Sequence, residues 1–355
     1  DWSSDVCSSD LGLAADTAGA AESPRLFVLS AGNTRDPDAW VRYPESLSTN
    51  LVHDPGQAWN AITVGACTDK VDTEGHASLN PVAEAGGLSP FTTTTRTWDR
   101  AWPLKPEVVL EGGNAAKDNL GAVGMPSLNL LTTHNQPLNR LFTTSNATSA
   151  ASALCAGMAA QIMAAYPHLR PETVRALLVH SAQWSDSMRG MFLPADRMPN
   201  KGDYVHLIRH CGWGTPDLNR ALWSAGDSLT LLVEDQVHPY AKVPVKGVVT
   251  RDMNLHCFAW AKDELEALQD TPVEMRVTLS YFIEPNPSAR GAASKYHYPS
   301  HRLRFDVQRP LDASTDNFVA RVNAAAQRED EGDPVNPSDP NWLLGEFQRH
   351  RGSLH

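Results

Sequence analysis

The chain has 355 residues, 41% of them hydrophobic and 20% charged, the composition of a folded globular protein with room for about two domains rather than of a disordered or fibrous chain. Its formal charge of −11 argues against a basic surface of the kind that displaces counterions from nucleic acid or anionic membrane. The longest apolar stretch, Ala150 to Ala165, is broken by Ser152 and Gln161 and falls short of the roughly 20 apolar residues that a membrane-spanning helix needs.

The opening residues Asp1 to Leu11, DWSSDVCSSDL, match no pattern of a protein element and look like the in-frame translation of a sequencing-library adapter, so the natural sequence is expected to take over at Gly12. The first element is the apolar run Arg25 to Ser30, closed by Ala31-Gly32-Asn33. Ala61 to Ala66 and Pro106 to Leu110 follow the same plan, and continuous apolar runs bounded by glycine predict buried parallel strands. Long polar loops, Thr34 to Asn60 and Thr68 to Pro103, separate them, a length that goes with functional surfaces or insertions.

From Ser149 to Tyr166 the sequence is small and apolar nearly all round, which predicts a helix buried on every side and stopped by Pro167. Pro171 and Glu172 open a second helix, with Val174, Leu177 and Leu178 on one face. Thr215 is the expected cap of a third, which runs through Leu218, Ala221 and Leu222. Strands followed by buried helices make residues 12–226 an α/β domain with part of a doubly wound parallel sheet.

After Gly226 the pattern changes to alternation at Ser228 to Val233, Met253 to Trp260, Val273 to Phe282 and Arg302 to Val307. This predicts an antiparallel β-sandwich over residues 227–312. Residues 313–355 read as a short amphipathic helix, Asn317 to Gln327, then a Pro- and Asp-rich linker through Pro340, and the end of the chain is expected to be cut short. Five cysteines (Cys7, Cys67, Cys155, Cys211 and Cys257) are an odd number without CxxC spacing. They read as free thiols of a reducing, cytoplasmic compartment, and nothing in the pattern calls for a metal or a cofactor.

Chemistry concentrates at Ala147-Thr148-Ser149-Ala150-Ala151-Ser152. A serine at a helix N-terminus sits beside unpaired backbone N–H groups and the positive end of the helix dipole, so negative charge developing near its Oγ is stabilised. The segment Ala147 to Gly157 resembles the nucleophile motif of the subtilisin-like serine proteases, the subtilases. Phe27 to Asn33 resembles that family's strand ending in AAGN, whose asparagine donates to the oxyanion. Trp59 to Ala66 is similar to NVITVGA, Lys105 to Val109 to KPDVV, and Gly212 to Leu218 to the closing GxG turn. In this order they identify the chain as a member of the family over about Arg25 to Ala225.

The resemblance implies Ser149 as the nucleophile of a serine endopeptidase acting on peptide or protein substrates, and Asn33 in the oxyanion hole. It also implies Leu29 to Gly32 as one wall of the pocket for the residue preceding the scissile bond. The chain departs from the family pattern at three places: Ala147 replaces a glycine, Ala153-Leu154 replaces Pro-His, and Glu111 stands where an apolar residue and proline are usual.

The family's triad Asp and His precede the oxyanion asparagine in chain order, and residues 12–32 contain no histidine. His53, His76, His134, His168 and His180 lie outside any HGTHVAG context and read as loop or helix-surface residues. The chain by itself is therefore expected to be inactive, because a serine without a base is a weak nucleophile. Two alternatives stay open. One is a catalytically silent relative that serves recognition or scaffolding. The other is the related sedolisin group, against which Asn33 argues, since an Asp takes that place there. The C-terminal region resembles, more loosely, that of bacterial subtilases encoded beside an AAA-type ATPase, which implies such a partner.

Overall fold

The computed structural model describes residues 24–98, 102–224, 230–283 and 303–330, apart from a few positions in the last two stretches, together with Ala14, Trp342 and Leu343. The adapter-like residues 1–11, Ser228, Leu229, Arg302, Arg304 and, apart from Trp342 and Leu343, the tail beyond residue 330 lie outside the described residues, whereas Thr230 to Val233 and Phe305 to Val307 are described and form no strand.

The three apolar runs form the centre of the fold. Strand β2 (Ala61–Thr68) pairs in parallel with β1 (Phe27–Ser30) on one side, Val28 opposite Ile62, and with β5 (Val108–Glu111) on the other, Val64 opposite Val108. Every residue of β2 is buried, as expected of a parallel strand covered on both faces. Between these come the short strands β3 (Asn80–Pro81) and β4 (Gly87–Leu88), β4 closing antiparallel on Cys67 and Thr68. Beyond β5, β6 (Ala115–Lys117) pairs with β7 (Ala122–Gly124), and β8 (Leu130–Thr133) with β9 (Phe142–Ser145), as antiparallel hairpins.

Helices cover both faces of the sheet. After the short α1 (Pro37–Val41) come α2 (Ala147–Ala165) and α3 (Pro171–Ser181). Next are α4 (Asp186–Phe192), α5 (Lys201–Cys211) and α6 (Leu218–Ser224). On one face Ile62, Val64, Val108 and Leu110 pack with Ala151, Cys155 and Ile162 of α2 and Val174, Leu177 and Leu178 of α3. On the other, Cys67, Leu88 and Val109 pack with Met188 of α4 and Leu207 and Cys211 of α5. The expected α/β arrangement with a parallel sheet is thus present. Asn200 opens α5 with a reciprocal cap, its side chain accepting from the N–H groups of Gly202 and Asp203 while the Asp203 carboxylate accepts from the Asn200 N–H.

Four expectations are corrected. Helix α2 is buried along one face only: Ala151, Cys155, Ala159 and Ile162 meet the sheet and neighbouring helices, while Leu154 and Met163 are exposed. By length and composition α2 could cross a membrane, contrary to the sequence reading, although its buried face is committed to the core. Thr215 does not cap α6. It exchanges backbone hydrogen bonds with Gln183, and the carboxylate of Asp217 takes the N–H of Arg220 instead.

The fourth concerns the predicted sandwich. Among the described residues, Met253 to Ala259 and Val273 to Phe282 form no strand, and the region shows only the hairpin of β10 (Tyr240–Val243) and β11 (Gly247–Thr250) and the helix α7 (Lys262–Ala267). The backbone of the segment ending at Ile283 is used differently: it binds the α/β domain. Buried Arg175 of α3 donates to the carbonyls of Trp59 (2.8 Å) and Tyr281 (2.7 Å) and to the Ser280 hydroxyl (2.9 Å). Asn60 pairs with Ile283 through both side-chain atoms, donating at 2.7 Å and accepting at 2.9 Å. Further on, the predicted tail helix is α8 (Thr315–Asp330), longer at both ends than expected. The four described cysteines are all free, with Cys67, Cys155 and Cys211 buried and Cys257 exposed.

Candidate active site

The parallel pairing brings the C-terminal ends of β1 and β5 to the same edge of the sheet, and the N-terminus of α2 abuts that edge. At the start of an α-helix the first N–H groups have no acceptor within the helix, and each must be satisfied from outside. In α2 the Ala147 N–H donates to Gly112 O at 2.6 Å and the Thr148 N–H to Asn33 Oδ1 at 3.0 Å. For the third, the Ser149 N–H, the described hydrogen bonds give no acceptor, and the Ser149 side chain is exposed.

Asn33 follows β1 directly after Gly32, whose φ of +108° suits glycine. Its Oδ1 also lies 2.6 Å from the hydroxyl of buried Thr148, which stands 3.0 Å from Gly32 O as well. An N–H can only donate, so the atom facing the Thr148 N–H must be the amide oxygen, and the Asn33 NH₂ is left on the other side. The two residues singled out from the sequence are therefore brought together: the side chain of Asn33 is bonded to the residue immediately before Ser149. Thr148, which sequence reasoning passed over, is the link.

Local backbone geometry explains two of the departures seen in the sequence. Ala147 has φ of +63°, the left-handed region that a glycine occupies without strain and an alanine does not. Gly112 must lack a side chain, since a Cβ there would stand 2.5 Å from the Ala66 Cβ and 2.9 Å from Ala147 O. Glu111 fixes this approach: its carboxylate accepts the N–H groups of Asp69 and Gly113, each at 2.7 Å, and so shapes the turn whose carbonyl receives Ala147. The predicted closing turn lies against β5, with Trp213 N donating to Glu107 O at 2.8 Å and Val109 N to Gly214 O at 3.0 Å.

Behind β2 a buried ion pair joins Lys105 and Glu107. Lys105 also donates to Ala61 O at 3.0 Å, and Glu107 accepts the Thr63 N–H at 2.6 Å. These bonds tie the β2–β5 pair together below the site.

Among the described residues no imidazole is hydrogen-bonded to Ser149. His180 is bonded to Thr278 (2.7 Å), His134 accepts from Gln136 N (3.0 Å), and the His168 ring meets Tyr166 edge-on. His53 is the exception in position. It lines a cleft of ≈ 360 Å³ together with Ser30, Gly32, Asn33, Arg35 and Asp54. The sequence reading set His53 aside as a loop residue, which it is. The signal that it returns to the site was the parallel order itself, because the loop ahead of β2 must pass the end of β1.

Comparison with known proteins gives the following. The Subtilase family matches residues 2–214. An uncharacterised protein of Sinorhizobium fredii, y4bN, is 31% identical over 242 residues, covering 61% of this chain and 52% of its own length, so the chain spans about half the length of the curated relative it matches. Among solved structures, a protease of Pseudoalteromonas arctica aligns over 56% of this chain and 42% of its own, with 19% identity and a TM-score of 0.33. The epidermin leader peptide processing serine protease of Staphylococcus aureus aligns over 56% and 40%, with 19% identity and a TM-score of 0.31. MycP1 aligns over 60% and 54%, with 17% identity and a TM-score of 0.30.

Proposed function

Since the chain belongs to the subtilase family, we propose that it carries the nucleophile half of a serine endopeptidase site, with Ser149 Oγ attacking the peptide carbonyl to form an acyl-enzyme. The oxyanion that develops is taken by two donors, the Ser149 N–H and the Asn33 NH₂. The observation that carries this reading is the pairing of Asn33 Oδ1 with Thr148, because it commits the amide oxygen to the residue before Ser149 and leaves the uncharged NH₂ as the atom available to an oxyanion. Donors placed before the reaction begins need no reorganisation as charge appears, and this is the usual source of the largest rate term in acyl transfer.

The base that takes the Ser149 proton is assigned to a segment outside this chain. Two observations support that assignment: no described imidazole is bonded to Ser149, and the chain matches about half of its Sinorhizobium relative, 52% of that protein's length. On this reading the chain alone does not turn over peptides, and the longer protein does.

The test is peptide hydrolysis by the longer protein that contains this chain. Cleavage of an unstructured protein substrate is expected, with loss of at least 10³-fold in kcat for Ser149→Ala. Undiminished cleavage by Ser149→Ala would assign the activity elsewhere. Absence of cleavage together with an intact fold would favour a recognition or scaffolding role for the domain.

A further inference from the structure

The cleft beside Asn33 contains groups that the acyl-transfer reading leaves without a task. None of its six lining residues, Ser30, Gly32, Asn33, Arg35, His53 and Asp54, carries an aliphatic or phenyl side chain. His53 is held in place from two directions. Its N–H donates to Ala31 O at 2.8 Å, and its carbonyl accepts from Gly56 N at 2.8 Å, closing a tight turn. The imidazole lies directly over Gly32, where a Cβ would stand 2.6 Å from His53 Cγ. Asp54 has one carboxylate oxygen engaged by the Gln57 side-chain amide. The hydrogen bonds and ion pairs described leave the Arg35 guanidinium and the His53 ring without a partner, both opening on the cleft.

We propose that this cleft selects the substrate residue bearing the attacked carbonyl for a side chain that ends in a carboxylate or carboxamide, with His53 and Arg35 as the specificity-determining donors. The proposal rests on the reading of Asn33 as oxyanion donor. If the attacked carbonyl oxygen lies at the Asn33 amide, the side chain branching from the adjacent Cα is the one that reaches a cleft sharing Asn33. A Glu or Gln side chain brings acceptor oxygens to the two donors. A Leu or Phe side chain covers them without replacing their water, and sites built to hydrogen-bond a substrate group reject analogues that lack it by about tenfold or more.

The experiment uses the longer protein and a set of peptide p-nitroanilides that differ only in the residue bearing the scissile carbonyl: Glu, Gln, Leu, Phe and Lys. Glu and Gln are expected to exceed Leu and Phe at least tenfold in kcat/KM. His53→Leu should lower the Glu-to-Leu ratio about tenfold, and Arg35→Gln should lower the Glu-to-Gln ratio. Both positions are exposed, so either variant folds independently of the other's outcome. A preference for Leu or Phe, or a Glu-to-Leu ratio that His53→Leu does not move, overturns the proposal while leaving Ser149 as nucleophile. Failure of all five substrates together with failure of Ser149 to react with a fluorophosphonate overturns the hydrolase reading itself and this inference with it.

Discussion

Asn33 Oδ1 is held by both the backbone N–H and the hydroxyl of Thr148, at 3.0 Å and 2.6 Å, so the residue that precedes the proposed nucleophile decides which way the proposed oxyanion donor faces. The N–H alone would fix the amide orientation. The single proton of the buried hydroxyl has Asn33 Oδ1 as its nearer acceptor and Gly32 O at 3.0 Å as its alternative, so the hydroxyl reinforces the amide orientation that the N–H sets.

Two substitutions separate these contributions. Asn33→Leu removes the NH₂ and is expected to lower kcat by about 10²–10³ with little change in KM, the magnitude measured for loss of the corresponding donor in a subtilisin. Thr148→Val keeps the N–H bond and removes only the hydroxyl. A loss of about tenfold in kcat, again without a matching change in KM, is expected from the longer protein, and steady-state kinetics on the two variants checks it.

Ala147 provides a prediction of the opposite sign. Its φ of +63° costs an L-residue roughly 1–2 kcal/mol relative to glycine, partly offset by the greater backbone freedom of glycine in the unfolded chain. Ala147→Gly should therefore stabilise the chain by about 0.5–1 kcal/mol in urea denaturation. Destabilisation would mean that the Ala147 methyl, buried beside Val109 and Ala115, outweighs the backbone strain.

Arg175 is a buried cation whose partners are the carbonyls of Trp59 and Tyr281 and the Ser280 hydroxyl, with the Phe282 ring 4.9 Å away. Burial holds its guanidinium below the ordinary arginine range, although it still has no neutral alternative near physiological pH. Arg175→Met removes a charged donor from each of two carbonyls and is expected to cost about 3 kcal/mol. The same change should release the segment that ends at Ile283, measured as faster proteolysis between Met275 and Ile283 than in the parent chain.

Acid should weaken the packing of α4 on α5. His210 is buried, stacked on Phe192 at 4.3 Å, and its imidazole is pushed down from 6.5 to about 4 by burial, opposed by the hydrogen bond to the His206 carbonyl and aided by the charges of the His206 ring and Arg96. The folded chain resists the proton that the unfolded chain accepts, so stability is full above about pH 6.5 and declines as the pH falls through the window to about 4. At 1.36 kcal/mol per pH unit the loss amounts to about 3 kcal/mol. His210→Gln should flatten the dependence of urea stability on pH in this window relative to the parent.

Much of this was legible in the residues. Continuous burial on both faces makes β2 a nearly unbroken apolar run, so Ala61 to Ala66 announced a parallel strand, and Pro171 followed by Glu172 announced α3. The elements that were missed have local signals of a different kind. Helix α5 begins at an Asn200–Asp203 cap, but it buries the polar Arg209 and His210 together with Leu207, Ile208 and Cys211, so its buried residues do not read as an apolar stripe. Alternation misled at Met275 to Tyr281, where the Thr278 and Ser280 hydroxyls and the Tyr281 carbonyl bond to His180 and Arg175 of α3.

At the site, the types of residue pointed to Ser149 and Asn33, but not to their intermediary. Thr148 acts through a hydroxyl whose partners, Gly32 and Asn33, are more than a hundred positions away in the chain, and only the parallel register brings them together. His53 was hidden for the same reason. Its importance comes from lying over Gly32, a contact that the loop from Thr34 to Asn60 conceals until its end is anchored at Ala31.

The most direct measurement is intact-mass and peptide-mapping analysis of the longer protein after treatment with a fluorophosphonate. The account predicts one adduct, located on Ser149, abolished in Ser149→Ala and formed at least tenfold more slowly in Asn33→Leu. An adduct on any other serine, or equal labelling of the Ser149→Ala variant, would contradict it.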